Sequence, residues 1–423
     1  MNSKLIERDK YIDEALMFRD TDLVKVVTGI RRCGKSSLLA LVRDRIQSEG
    51  VAGRAFVTVN LEMRGLGIRT DDDLYGYLAA RMSDEGRTYV FVDEVQRIDG
   101  WHDVVNSLRV EHDCDIYLTG SNAYLLSSEL STYLSGRYVE VKMLPLSMGE
   151  YLDFCGLSFA PGSSVASTPD GILVTFGDAL RRYLRFGGMP AIASLDVDQE
   201  KHSHYFEGLY NTVIVRDVMA RERNRDQRKL TDPDLLGSIC EYLADTVSRE
   251  TSMKRIADSL TSAGRKTAHG TVGAYVKALE DAYVFYPCSR YDIHGKAVLK
   301  TLPKHYVVDT GLRKYLAGYR GGDMGFVFEN AVYLQLLFEG WAVHVGKLYR
   351  SEVDFVAVKD GRTMYVQATD EMSSGSTRER ELAPLKAIRD NHEKLVVVRQ
   401  GDEAEEVDGI RIVPAREFFL PAP

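Results

Sequence analysis

The chain has 423 residues, 44% hydrophobic and 27% charged, with a formal net charge of −8. That length exceeds what one ordinary core fills and implies several domains, while the acidic balance excludes a protein that coats nucleic acid over its whole surface. No run approaches the roughly 20 apolar residues of a membrane span, the N-terminus lacks the apolar core of a signal peptide, and the five scattered cysteines show no C-x-x-C spacing. A membrane partner, a disulfide framework and a zinc site are therefore not expected, and the expected location is the cytoplasm.

Residues 6–18 form an amphipathic segment expected to pack as a short helix on the first core. The run LVKVVTGIRRCGKSSLL follows, from Leu23 to Leu39, with an apolar stretch that breaks at Gly29 and a helical pattern that resumes after Lys35. This is strand, phosphate loop, helix, and Gly29 to Ser36 fits G-x-x-x-x-G-K-[ST]. The glycines let backbone N–H groups curl around a phosphate, Lys35 reaches the β- and γ-phosphates, and the Ser36 hydroxyl ligates Mg²⁺. Gly29, Arg32, Cys33, Gly34, Lys35, Ser36 and Ser37 are thus the expected nucleotide contacts, at the positive end of a helix. Arg31 and Arg32 are open between a lid contact, a neighbouring subunit and solvent.

A second buried strand is expected at 54–61, a helix at 70–82, and a third strand at 88–95, where Thr88-Tyr-Val-Phe-Val-Asp-Glu-Val95 ends in two carboxylates. Placed beside the phosphate-loop strand, it brings Asp93 to Mg²⁺ and Glu94 to an attacking water, which favours hydrolysis over mere binding. The strand expected at 115–122 ends in Ser121 and Asn122, either of which would orient water or sense the γ-phosphate. Arg137, in a Gly-flanked loop, is suited to neutralise charge on a transferred phosphoryl group, in cis or from a neighbouring subunit; a salt bridge to Glu140 is the bland alternative.

The series TGIRRCGKSSLL, VFVDEVQ, LTGSNA, LSGRY and the GGMP of Gly187 to Pro190 resembles the AAA-type ATPases of bacteria and archaea that carry a C-terminal domain of the DUF4143 group. The resemblance covers nearly the whole chain. It implies an α/β fold: an additional-strand P-loop NTPase core with a parallel sheet, a helical lid, a winged helix and a nuclease-like C-terminal α/β domain. The expected divisions are 1–150 for the ATPase core, 151–224 for the lid, 225–320 for the winged helix and 321–423 for the nuclease-like domain. ATP and Mg²⁺ are the expected cofactors, and Arg216 is a weaker second phosphate-sensing candidate, behind a structural salt bridge.

A Ser/Gly/Pro-rich linker is expected at 158–169. Helices at 234–247, 252–260 and 269–282 and two β-rich runs after residue 283 follow the order of a winged helix. Over 225–320 sixteen Lys and Arg face eleven Asp and Glu, a net +5 in an otherwise acidic chain. Arg265, Lys266, Lys277 and Lys296 are the expected contacts to a DNA backbone, with little sequence reading. Further on, a helix at 326–339 with Glu329 and strands carrying Asp354 and Gln367 resemble the PD-(D/E)xK nuclease core, and a helix near 381–391 is expected to close the same α/β domain. Gln367 stands where that core has its second acid and Thr369 where it has its lysine, so the domain is expected to be catalytically silent, with Glu371 a substitute only if the strand bulges. The function expected is ATP hydrolysis that gates the attached domains, slow without a protein partner or a homo-oligomer. A DNA-associated switch and a metal-dependent nuclease are the alternatives.

Overall fold

The computed structural model describes residues 5–120, 134, 136–160, 163–168, 170–195, 197–212, 218–221, 230–318, 322–349, 351–401 and 403–420. The chain divides into two compact units, Met1–Leu144 with Asp281–Tyr283, and Pro145–Glu280 with Val284–Pro423.

The first unit is a five-stranded parallel sheet built from β1 (Val24–Thr28), β2 (Phe56–Asn60), β3 (Thr88–Asp93), β4 (Cys114–Thr119) and β5 (Tyr138–Lys142). Its order is β2-β3-β4-β1-β5. Strand β4 therefore lies between β3 and β1, which corrects the expectation that the acid-bearing strand sits beside the phosphate-loop strand. The reason is that β1 and β3 are both buried along their whole length, as strands covered on both faces are, so their apolar runs carry no signal of which strand is the neighbour. The intervening β4 is the additional strand that the resemblance implies. Val26, Val90, Val92 and Leu118 fill the core beneath it with Leu108 of helix α4 (Trp101–Glu111). Helix α1 (Asp9–Leu16) buries Tyr11, Ile12 and Ala15. Helix α2 (Lys35–Ser48) leaves the phosphate loop, and α3 (Asp71–Ala79) opens on a capping box between Thr70 and Asp73. At the amino edge of the sheet Lys25 and Asp115, both fully buried, form an ion pair, and Asp115 also accepts from Tyr117 Oη at 3.1 Å and Asp20 N at 2.9 Å.

The second unit opens with α5 (Met148–Phe154), a hairpin of β6 (Val165–Ser167) and β7 (Leu173–Thr175), α6 (Phe176–Phe186) and α7 (Gln199–Leu209). The hairpin falls across the stretch expected as a linker. Here the GGMP run has a structural explanation. Gly188 N donates to Asp309 Oδ2 at 2.7 Å, and a Cβ on Gly187 would meet Asp309 Oδ1 at 2.2 Å. Asp309 in turn caps α11 (Thr310–Ala317), reached after α8 (Pro233–Asp245), α9 (Met253–Ser262), α10 (His269–Asp281) and a hairpin of β8 (Phe285–Asp292) and β9 (Ala297–Val307).

Three helices and a hairpin thus occur in the expected order, but the hairpin is not a free wing. Strand β8 pairs in parallel with β10 (Ala342–Lys347), which follows α12 (Met324–Phe338), and the sheet continues through β11 (Glu352–Lys359) and β12 (Arg362–Thr369). With β13 (Glu393–Val398), β14 (Glu405–Val407) and β15 (Ile410–Pro414) it forms one eight-stranded sheet, β14-β15-β13-β12-β11-β10-β8-β9. A single sheet therefore runs across the 320/321 division drawn from the sequence. Helix α13 spans Gly375–Lys386 rather than 381–391, because the Ser374 hydroxyl caps it by accepting Thr377 N at 3.1 Å. Among the described residues no helix is long and apolar enough to cross a membrane.

Candidate nucleotide-binding site

At the carboxyl end of β1 the chain turns on Gly29 (φ 138°), Arg32 (φ 68°) and Gly34 (φ 108°). Gly29 is obligatory there: a Cβ would meet Met143 O at 2.1 Å. Arg8, buried ahead of α1, donates to Cys33 O and to Leu144 O, both at 3.1 Å, and so clamps the loop from beneath. The Cys33 thiol is buried and turned to Met143 O at 3.7 Å, and its N–H is engaged by Ile30 O at 3.3 Å, so Cys33 shapes the loop rather than offering a side chain to a ligand. Lys35, 4% exposed, rests its ammonium on Gly29 O at 3.0 Å and Ile30 O at 3.1 Å. Ser36 and Ser37 are exposed, as is Arg32. Helix α2 starts at Lys35 with no side-chain cap, which leaves its first-turn N–H groups facing the loop as donors for an anion. These features fit a phosphate chain with its Mg²⁺, whose protein ligands would be Ser36 and, directly or through water, Asp93.

Asp93 and Glu94 lie at the same carboxyl edge of the sheet, 6% and 8% exposed. Asp93 Oδ2 accepts Asn60 Nδ2 at 2.8 Å, from the end of β2, and Asp93 Oδ1 accepts the hydroxyl of Thr119, from the end of β4. Thr119 also accepts Glu94 N at 2.9 Å, and Glu94 sits in the left-handed region at φ 58°. Gln96 Nε2 donates to Glu94 Oε2 at 2.6 Å. Arg31, in the loop, donates to Glu62 Oε1 at 2.8 Å, and Arg97 donates to the same oxygen at 2.6 Å.

Asn60, Thr119, Gln96 and the Glu62 pairings went unread in the sequence. The one available signal was a polar side chain closing an apolar strand, which Asn60 and Thr119 both provide. Ser121 and Asn122, expected to orient water or sense the γ-phosphate, lie outside the described residues, as does Arg216. Arg137 is exposed and precedes β5, where Tyr138 pairs with Val24 at the start of β1. It therefore starts at the amino edge of the sheet, about 13 Å along β1 from the phosphate loop. Glu140, its alternative partner, accepts instead from Thr28 and from Tyr283 Oη at 3.2 Å.

In the second unit Lys304 on β9 pairs with Glu352 on β11 and stands 3.7 Å from Glu329 Oε1, which accepts Tyr306 Oη at 2.7 Å. Asp354 Oδ2 accepts Ala368 N at 2.9 Å, and Gln367 bridges Asp354 N at 3.3 Å to Glu381 Oε2 at 3.0 Å. Burial pushes the Glu329 and Asp354 carboxyls up. It works against charge on Lys304 as well, but Glu329, Glu352 and Asp354 outweigh it and hold that ammonium above its usual range. Among the described residues no three His, Cys, Asp or Glu side chains gather closely enough to hold a metal ion. Glu371 is exposed and follows the end of β12. Of the four expected DNA contacts, Arg265 pairs with Asp232 and Asp234 at 3.6 Å each and Lys277 with Glu280 at 3.8 Å, while Lys266 and Lys296 are exposed.

A parallel sheet of this order, with an uncapped helix behind a glycine loop and an acid pair on the third strand, defines an AAA-type P-loop domain. Residues 21–152 match the family described as AAA domain, and residues 177–322 match a domain of unknown function, DUF8612, in place of the DUF4143 group that the resemblance named. The chain belongs to the family of an uncharacterized protein of Haemophilus influenzae, to which it is 34% identical over 422 residues, 99% of this chain and 100% of that one. It is also 27% identical over 415 residues to the uncharacterized protein MJ1544 of Methanocaldococcus jannaschii, covering 94% of this chain and 88% of that one. Among solved structures it is similar to the Walker-type ATPase PABY2304 of Pyrococcus abyssi at 16% identity and a TM-score of 0.44, covering 73% of this chain and 95% of that one, too distant a likeness to carry function.

Proposed function

We propose that the chain is a Mg²⁺-dependent ATPase whose turnover gates a conformational change in the unit that follows the AAA domain. The observation that carries this is the placement of Asp93 and Glu94 at the same sheet edge as Lys35, held there by Asn60 and Thr119. Lys35, released from Gly29 O and Ile30 O, holds the phosphate oxygens with the N–H groups of the loop and of α2. Ser36 and Asp93 would hold Mg²⁺, which would supply charge neutralisation to the phosphates. Glu94 takes the proton of the attacking water, with Gln96 Nε2 holding its Oε2.

Arg137 completes such a site only from a second copy, so an isolated chain hydrolyses slowly. Phosphate release from ATP by the wild type, Lys35→Ala and Glu94→Gln tests the reading. Activity that both substitutions abolish supports it, and a wild type no faster than Lys35→Ala, at any protein concentration, removes it.

The C-terminal acids support a silent nuclease-like fold. Lys304 offsets part of the charge of Glu329 and Glu352 from within the chain, which lowers the attraction of that cluster for a divalent cation. Incubation of plasmid DNA with Mg²⁺ or Mn²⁺ tests this: no cutting is expected, and cutting that Asp354→Ala abolishes overturns it.

A further inference from the structure

The phosphate loop contains two adjacent arginines for which its motif assigns no work, and the structure gives one of them a distinctive partner. Glu62 follows β2, Arg31 follows β1 and Arg97 follows β3. In the sheet order β2-β3-β4-β1, β1 and β2 are three strand spacings apart, about 14 Å. The ends of β4 and β3, which carry Thr119 and Asp93, lie between those two strands in that order. The Arg31–Glu62 pair therefore joins the loops on either side of the acid-bearing strand ends, and Arg97, three residues after Glu94, reaches the same Glu62 oxygen. Two guanidinium groups on one carboxylate leave one positive charge in excess. The Glu62 side chain is 42% exposed, so it is within reach of solvent and of a competing anion.

We propose that Glu62 is a latch: it holds Arg31 and Arg97 beside the acid-bearing strand ends, and the terminal phosphate of a bound nucleoside triphosphate takes both guanidinium groups from it. The chain then carries two cis arginines of its own, loaded by the triphosphate and returned to Glu62 when only the diphosphate remains. Planar guanidinium groups suit this exchange, since carboxylate and phosphate oxygens accept the same fork of N–H donors. The inference rests on the nucleotide reading above and adds to it a means of telling triphosphate from diphosphate without a partner subunit.

The test is equilibrium binding of a non-hydrolysable ATP analogue and of ADP, each with Mg²⁺, to the full chain and its variants. Glu62→Gln is expected to strengthen analogue binding by roughly tenfold, and Arg31→Ala or Arg97→Ala to weaken it by a similar factor, with ADP binding within about twofold throughout. Arg31→Lys, which keeps the charge but not the fork, should fall between wild type and Arg31→Ala. Thermal unfolding without nucleotide checks that each variant is folded, and the Arg97 variant decides the matter if an Arg31 variant is not. Equal effects on analogue and ADP, or none, overturn the latch and leave the three residues as a tie between loops. If the wild type binds neither nucleotide better than Lys35→Ala does, the nucleotide reading falls and the latch falls with it. Lys35-dependent binding that Glu62→Gln leaves unaltered removes the latch alone.

Discussion

The Thr119 hydroxyl is donated to the carboxylate of Asp93, and the same oxygen accepts the N–H of Glu94 at 2.9 Å. One side chain on β4 thus anchors the Asp93 carboxylate and the Glu94 backbone at the end of β3. Thr119→Val keeps the shape and removes both bonds, leaving a buried N–H and a carboxylate oxygen short of a partner. A loss of about 1–3 kcal/mol in stability is expected, with turnover reduced tenfold or more and nucleotide affinity little changed. Denaturant unfolding and ATP titration of phosphate release measure the two effects separately.

Arg137 stands at the sheet edge opposite the phosphate loop, so it serves the site of another copy if it serves any. Mixing Arg137→Ala with Lys35→Ala, each inactive by itself, should restore phosphate release, since one mixed interface pairs an intact loop with an intact arginine. Specific activity of the wild type should also rise with protein concentration. No complementation together with a concentration-independent rate would contradict a trans role.

Two buried groups on neighbouring elements of the second unit respond to acid with opposite sign. Burial holds the imidazole of His202, which bonds Gly311 O at 3.1 Å, down to about 4. The unfolded chain takes up that proton near pH 6.5, so stability due to His202 is present above pH 6.5 and is lost as pH falls toward 4. Burial pushes Asp309 up to about 6 in spite of the N–H groups of Leu312 and Gly188. Its folded form keeps a proton that the unfolded chain gives up near pH 4, so its contribution is present below pH 4 and is lost as pH rises to 6. Each effect is on the order of 3 kcal/mol, and the two oppose each other across the interval. His202→Gln should grow more stable on acidification from pH 6 to 4, and Asp309→Asn less stable, while the wild type changes least. Denaturant midpoints at several pH values read this out.

Lys25 and Asp115 form a fully buried ion pair at the amino edge of the first sheet, where burial pulls the Lys25 ammonium down and Asp115 opposes that. Lys25→Met should cost about 3–5 kcal/mol because it strands the carboxylate, whereas Lys25→Met with Asp115→Leu should recover much of the loss. A double mutant no better than the single one would show that the remaining partners of Asp115, Tyr117 and Asp20, carry the stability. Chemical denaturation of the three variants gives the comparison.

The phosphate loop and the acid pair were legible because each acts through backbone and side chains a few residues apart, and the strand, loop and helix lie where apolar periodicity places them. What surrounds them was not legible. Asn60, Thr119, Glu62 and Arg97 meet only after the strands take the order β2-β3-β4-β1, and uniformly buried parallel strands do not encode that order locally. Arg8 reaches the loop from a segment whose pattern shows only an amphipathic helix. In the second unit Asp354 and Glu329 were foreseen, while Lys304 and Glu381 arrive from other strands and helices to meet them. The displacement of α13 toward Ser374 shows a cap overriding a boundary drawn from apolar spacing.

The pairing of β8 with β10 governs how this protein can be cut. A fragment ending near residue 320 would keep helices α8 to α10 and the β8-β9 hairpin, yet it would bare one side of β8, a row of N–H and C=O groups that β10 covers in the whole chain. Such an edge recruits whatever strand it meets, including its own twin. A fragment starting near residue 321 would bare β10 in the same way. Severed pieces should therefore stick to one another or to themselves, and co-expressed halves should rejoin across that seam.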